Sequence, residues 1–241
     1  MGSLLNHRVV CRAGSVIARR WIETGNILIE RQAMNVAMLI ATAFSLFSNS
    51  TPLTQPRTPL AGDYVEARTA SVFAGACHVN GELMTTGRDA VMAWQFSDGV
   101  RVMAAVSSQA NLSEQAAARK SEIVIDDSAG KSQADEVLHA ILACDGSALG
   151  KVVSIQHAAI SFSHEGREYK VESPGFAALD VQGMPNDECC KQPNLVWYEP
   201  LVKLVGRKVG YTVNAEYSSG RIGDSWQRED ENGAFYGAFA Y

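Results

Sequence analysis

Short apolar runs and alternating apolar and polar positions, bounded by Gly, Asp and Ser, dominate the hydropathy pattern of this 241-residue chain and predict β-strands. Residues 63–73 alternate imperfectly around Tyr64, Val65 and Val72, with Gly75 and Asn80-Gly81 as turn punctuation on either side of Cys77. Residues 90–96 and 101–106 are apolar runs separated by Ser97-Asp98-Gly99, which predicts a β-hairpin, and 122–125 is a third run closed by Asp126-Asp127-Ser128. One segment changes period. Val137, Leu138, Ile141 and Leu142 share a helical face, so an amphipathic helix is expected near 132–144. Ser132 with Asp135 fits an N-terminal cap, and Asp135 and Glu136 lie near the positive end of the helix dipole. After a turn at 146–150, strand character returns over 152–163, 169–171 and 176–181, and aromatic and small residues alternate over 211–217 and 234–241. Strands at both ends with one clear helix between them predict an α+β fold, a single domain built mainly on antiparallel sheet. A βαβ architecture needs a helix after nearly every strand.

Residues 36–47 form an uninterrupted apolar and small run followed by Ser48, Asn49 and Ser50. It is shorter than the roughly 20 residues of a membrane-spanning helix and matches the apolar region of a secretory signal. Residues 1–50 are therefore read as a signal peptide, or as a misassigned start followed by a signal peptide beginning at Met34, with cleavage expected before Thr51. The alternative is a buried core helix over 36–47. Pro52, Pro56 and Pro59 make 51–61 an extended linker, and 62–241 is the folded domain. The expected product is secreted or periplasmic, with no stable membrane span.

Charge narrows the partners. The chain carries 21 Lys and Arg against 26 Asp and Glu; without residues 1–50 the balance is 16 against 24. A nucleic-acid partner calls for a clustered basic face, and the longest local basic groups are Arg119-Lys120 and Arg207-Lys208, so nucleic acid is not expected. Four cysteines follow the leader: Cys77, Cys144, Cys189 and Cys190. In an oxidising compartment an even set reads as bridged. A bond between the neighbours Cys189 and Cys190 closes a strained ring, which favours Cys77 with Cys189 or Cys190, and Cys144, closing an apolar helix face, reads as a buried free thiol.

Thiolate and imidazole are ligands that copper or zinc select, so Cys77, His78, Cys189 and Cys190 are the candidate metal ligands, with a structural disulfide as the competing use of the same sulfurs. Met184 adds a thioether near Cys189, while His139, His157 and His164 stand apart and read as ordinary surface or core histidines. Trp94, Trp197 and Tyr198 offer an aromatic surface for an organic or lipid ligand, against the alternative that strand aromatics fill the core. No hydrolase elbow, zinc-protease motif or phosphate loop is present, and no catalytic residue is assigned. An enzymatic reading rests on loop carboxylates such as Asp187, Glu188 and Glu199, whose spacing does not argue for it.

Gly62-Asp-Tyr-Val-Glu-Ala-Arg, Cys77-His-Val-Asn-Gly-Glu82 and Thr86-Gly-Arg-Asp-Ala-Val-Met-Ala-Trp94 resemble the opening of bacterial proteins in the domain of unknown function 1326 family. Trp197-Tyr-Glu-Pro-Leu201, Trp226 and Gly233-Ala-Phe-Tyr-Gly-Ala-Phe239 resemble that family's late motifs. The resemblance spans about 62–241 and implies one intact domain and no catalytic residue. Its early cysteines hint at metal handling, but Ala70 stands where relatives carry a further cysteine, which weakens a metal cluster on the first loop. Together these readings lead to a non-catalytic binding domain that holds a soft metal ion such as copper. The alternatives are a disulfide-stapled module for an organic or lipid ligand, or an unrecognised enzyme.

Overall fold

The computed structural model describes residues 59–74, 87–184 and 195–241. The apolar run at 36–47, the linker up to residue 58, and Cys77, His78, Cys189 and Cys190 lie outside the described residues. The described residues form β1 (Ala61–Arg68), β2 (Phe73–Ala74), β3 (Asp89–Phe96), β4 (Arg101–Ser108), β5 (Arg119–Asp126), α1 (Lys131–Leu149), β6 (Lys151–Ala158), β7 (Ser161–Glu165), β8 (Glu168–Ser173), β9 (Ala177–Gly183), β10 (Leu195–Val196), β11 (Val205–Tyr217) and β12 (Trp226–Ala240).

Ten strands make one sheet in the order β6-β5-β4-β3-β1-β12-β11-β9-β8-β7, and β2 pairs with β10 beside it. Neighbours are antiparallel except β5 and β6, which run parallel because α1 carries the chain back between them. The fold is thus mostly antiparallel sheet with one long helix. The hairpin expected at 97–99 is present: Phe96 donates its N–H to the Val100 carbonyl at 2.8 Å, and Gly99 takes φ +92°, which favours glycine.

The stretch 152–163 divides into β6 and β7, which stand at opposite ends of the strand order. Only Ala159 and Ile160 separate them, so Ala158 and Ser161 are at most about 11 Å apart along an extended chain. The sheet therefore curls until its two edges approach. Glu122 of β5 holds that curl from inside. Its fully buried carboxylate accepts from Tyr217 Oη (3.1 Å), Ser219 Oγ (2.7 Å), Gln156 Nε2 (2.6 Å) and Arg221 Nη1 (3.2 Å).

Two apolar layers follow from strand alternation. Val65, Ala67, Val91, Ala93, Met103 and Val124 face the inside of the curl with Tyr169, Leu179 and Tyr217. Tyr64, Met92, Trp94, Val102, Ile123 and Ile125 face the other way and pack under Val137, Ile141 and Leu149 of α1. The helix runs past the expected end at 144, through Gly146 to Leu149, because Ala148 and Leu149 are buried in the core. Ser132 does not cap it. Gly130 is the N-cap and no side chain bonds there, since the turn at 126–129, tied by Ser128 N to Asp126 Oδ1 at 3.0 Å, delivers the chain directly into the first turn. The buried stripe is Ala134, Val137, Ile141, Asp145 and Ala148, while Leu142 is exposed.

Candidate functional site

Tyr64, Glu66 and Arg68 occupy alternate positions of β1 and so project from one face of the sheet, the face that α1 partly covers. Strand alternation alone places Glu66 and Arg68 at the solvent. Instead they are 0 and 2 % exposed, because residues 197–204 cross over them. Arg68 donates from Nε to Glu66 Oε1 at 2.8 Å, and its Nη2 lies 2.8 Å from the same oxygen in the ion pair. The other carboxylate oxygen accepts from Tyr64 Oη at 2.6 Å and from the backbone N–H of Leu201 at 2.8 Å. Arg68 Nη2 also donates to the Glu199 carbonyl. One buried ion pair therefore anchors the crossing segment at two backbone points. The Arg68 guanidinium also stands 5.9 Å from the Tyr198 ring centroid and 5.5 Å from that of Phe235, within cation–π range. Burial, followed by the Glu66 charge, pushes the Tyr64 hydroxyl well above its ordinary pKa, so it remains a donor.

This crossing segment walls a cavity of about 540 Å³, lined among others by Arg68, Arg119, Gln115, Trp197, Tyr198 and Leu201. That volume suits a small-molecule site. Its second wall is the 109–118 loop, tied by Leu112 N to the Gly87 carbonyl (2.8 Å), by Ser113 N to Asn111 Oδ1 (2.9 Å), and by Asn111 Nδ2 to Tyr198 Oη (3.3 Å). Arg119, the first residue of β5, joins this loop to the end of α1. Its Nη2 donates to the Leu112 carbonyl at 2.7 Å, and Nη1 donates to the Ala148 carbonyl at 3.3 Å. Gly150, with φ +63°, lets the chain turn from α1 into β6 directly against Arg119. Burial, then the positive charge of Arg68, hold the Arg119 guanidinium below its ordinary pKa, so the two cations sense each other across the site.

The crossing segment also walls a second cavity, of about 440 Å³, where Asp145 of α1 meets Leu201, Lys203 and Arg207. Trp94 Nε1 donates to Tyr241 Oη at 2.8 Å, and that hydroxyl donates to Asp145 Oδ2. Burial raises the Asp145 carboxyl to about 6 against the opposing Tyr241 hydrogen bond, with the Glu66 charge adding to the rise.

The residues read from sequence fare differently. Trp197 and Tyr198 come together at the first cavity. Trp94 does not join them: it is fully buried, edge-on to Tyr64 at 5.2 Å between centroids, and belongs to the core. Glu199 lines the cavity, but its carboxylate is paired with Arg207 Nη1 at 2.6 Å, while Asp187 and Glu188 lie outside the described residues. The four proposed metal ligands, Cys77, His78, Cys189 and Cys190, also lie outside them. Among the described residues no three His, Cys, Asp or Glu side chains gather as metal ligands would. His139 and His157 are exposed, and His164 stacks on Tyr169 at 4.0 Å and meets Asp63 Oδ2 at 3.1 Å. Met184 packs beside Val72, Phe73 and Phe235. Cys144 is half-buried and disulfide-bonded, which corrects its reading as a free thiol.

Glu66, Arg68 and Arg119 were not singled out from sequence. The signal was there in part: Tyr64, Glu66 and Arg68 repeat at period two opposite Val65 and Ala67, but nothing local says that a second layer covers their face. Among the described residues no helix is long and apolar enough to cross a membrane. No family model matches the chain, and no curated protein or solved structure matches it.

Proposed function

We propose that this chain is a secreted or periplasmic binding domain that takes a small organic molecule in the cavity walled by Trp197 and Tyr198. The observation that carries the reading is the anchoring of that wall: a fully buried Glu66–Arg68 pair fixes the backbone at Glu199 and Leu201, so the aromatic side chains are held in place before a ligand arrives. Arg119, Ser113 and Gln115 bring donors to this cavity, suited to holding and orienting a ligand, while the Glu199 carboxylate there is paired with Arg207. Two of the segments that resemble the domain of unknown function 1326 family, 62–68 and 197–201, meet at this wall. The likeness to that family is part of the proposal.

The test is ¹⁹F NMR of the full chain labelled with 5-fluorotryptophan, titrated with indole and benzyl alcohol. A saturable shift of the Trp197 resonance, with the core Trp94 resonance unmoved and the effect abolished in Trp197→Ala, is the expected result. A Trp197 resonance that stays fixed, or moves only in step with all the others, overturns the proposal.

A further inference from the structure

Among the described residues Arg119 has no counter-charge. Its guanidinium donates only to backbone carbonyls: Nη1 to Ser147 (3.5 Å) and Ala148 (3.3 Å), and Nη2 to Leu112 (2.7 Å) and Glu114 (3.4 Å). Among the described residues no carboxylate lies within ion-pair distance of it. Its Nε is buried and has no hydrogen-bond partner. Arg119 is half-buried, so solvent screens part of its charge, and an anion at the cavity would supply the opposite charge where water is excluded. The carboxylates nearby are already committed, Glu66 to Arg68 and Glu199 to Arg207. The carbonyls ending α1 provide only the partial negative charge of a helix C-terminus.

The geometry points to an organic oxyanion as the occupant of this cavity, with a carboxylate or phosphate head at Arg119 and an apolar or aromatic body against Trp197 and Tyr198. This rests on the cavity being a ligand site at all. Ser113 and Gln115 stand on the exposed loop at its rim, where their side chains add donors to the head. Arg68 also lines the cavity but is neutralised by Glu66, which leaves Arg119 as the cation that meets the head. Arginine suits this task because its fixed fork of donors matches planar or tetrahedral oxyanions.

The full chain is titrated with benzoate, phenyl phosphate, inorganic phosphate and the neutral benzyl alcohol, reading the Trp197 resonance and calorimetry. Benzoate or phenyl phosphate is expected to bind at least about tenfold more tightly than benzyl alcohol, and whichever of the two is tighter identifies the head. Gln115 is exposed, so its charge variants leave the fold intact, which matched melting temperatures verify. Gln115→Glu should weaken the preferred anion about tenfold and Gln115→Lys should strengthen it, each by a larger factor than it changes benzyl alcohol binding. Equal affinity for anion and alcohol, indifferent to the charge at position 115, sinks the oxyanion inference while the cavity survives as a ligand site. Inorganic phosphate binding as tightly as phenyl phosphate overturns the role given to the aromatic wall. If no compound moves Trp197, both this inference and the function it rests on fail.

Discussion

Leu201 donates its backbone N–H to Glu66 Oε2 at 2.8 Å, across 135 positions of sequence. That bond, with the Arg68 contact to the Glu199 carbonyl, is what lays the crossing segment over β1. Glu66→Gln removes the charge that balances a buried Arg68 and replaces one acceptor oxygen with a donor. Urea denaturation is expected to show a loss of about 3–5 kcal/mol. A loss below about 1 kcal/mol would mean that the pair is not what secures the segment.

Asp145 sets a pH dependence whose direction can be worked out. Its folded pKa of about 6 lies above the ordinary 3.8, so between those values the folded chain holds a proton that the unfolded chain has released. The stability this group contributes is complete below about pH 4, falls as pH rises to about 6, and stays lost above. The amount is about 3 kcal/mol. In Asp145→Asn the amide oxygen still accepts from Tyr241. The variant should therefore gain on the wild type steadily over that window and be the more stable protein at pH 7.5. Parallel stability–pH curves for the two proteins would refute the assignment.

Gly150 has no room for a side chain. Its φ is +63°, and an added Cβ would fall 2.6 Å from Arg119 Cβ and 2.6 Å from the Arg119 carbonyl oxygen. Gly150→Ala is expected to cost about 1–3 kcal/mol in thermal or chemical unfolding. Because the displaced neighbour is Arg119, binding of benzoate or phenyl phosphate should weaken as well. Unchanged unfolding would show that the turn accepts a Cβ after all.

Inside the curl, the Tyr217 hydroxyl donates to Glu122 while accepting from the backbone N–H of Arg221 (2.8 Å) and Ile222 (3.2 Å). Tyr217→Phe strands a buried carboxylate lone pair and two backbone donors together, a loss of about 1–3 kcal/mol by denaturation. Combined with Glu122→Gln it should cost less than the two single losses added, since both act on one network. Strict additivity would show that the two residues act independently.

The β3–β4 hairpin and α1 were readable because each is written in adjacent positions: Ser97-Asp98-Gly99 carries its own turn chemistry, and the spacing of Val137 and Ile141 is a helical period. The pattern ends the helix near 144 because Gly146 is a local breaker, while Ala148 and Leu149 are kept helical by burial beneath them. The split of 152–163 into the two edge strands β6 and β7 was invisible for a similar reason. Both pieces carry strand character, and only the closing of the sheet sends them to opposite edges.

By itself, the order of the residues determined that this would be a largely antiparallel sheet with one helix, since period and turn residues act over a few positions and need no partner. It also grouped Trp197 and Tyr198 with Trp94 as one candidate aromatic surface. Only the tertiary structure decided that Trp94 would be core, that Glu66 and Arg68 would be buried, and that Arg119 would have no counter-charge among the described residues. Those outcomes depend on which face of β1 is covered and by what. The segment that covers it arrives from 130 residues away, held by charge and hydrogen bonds that no local pattern encodes.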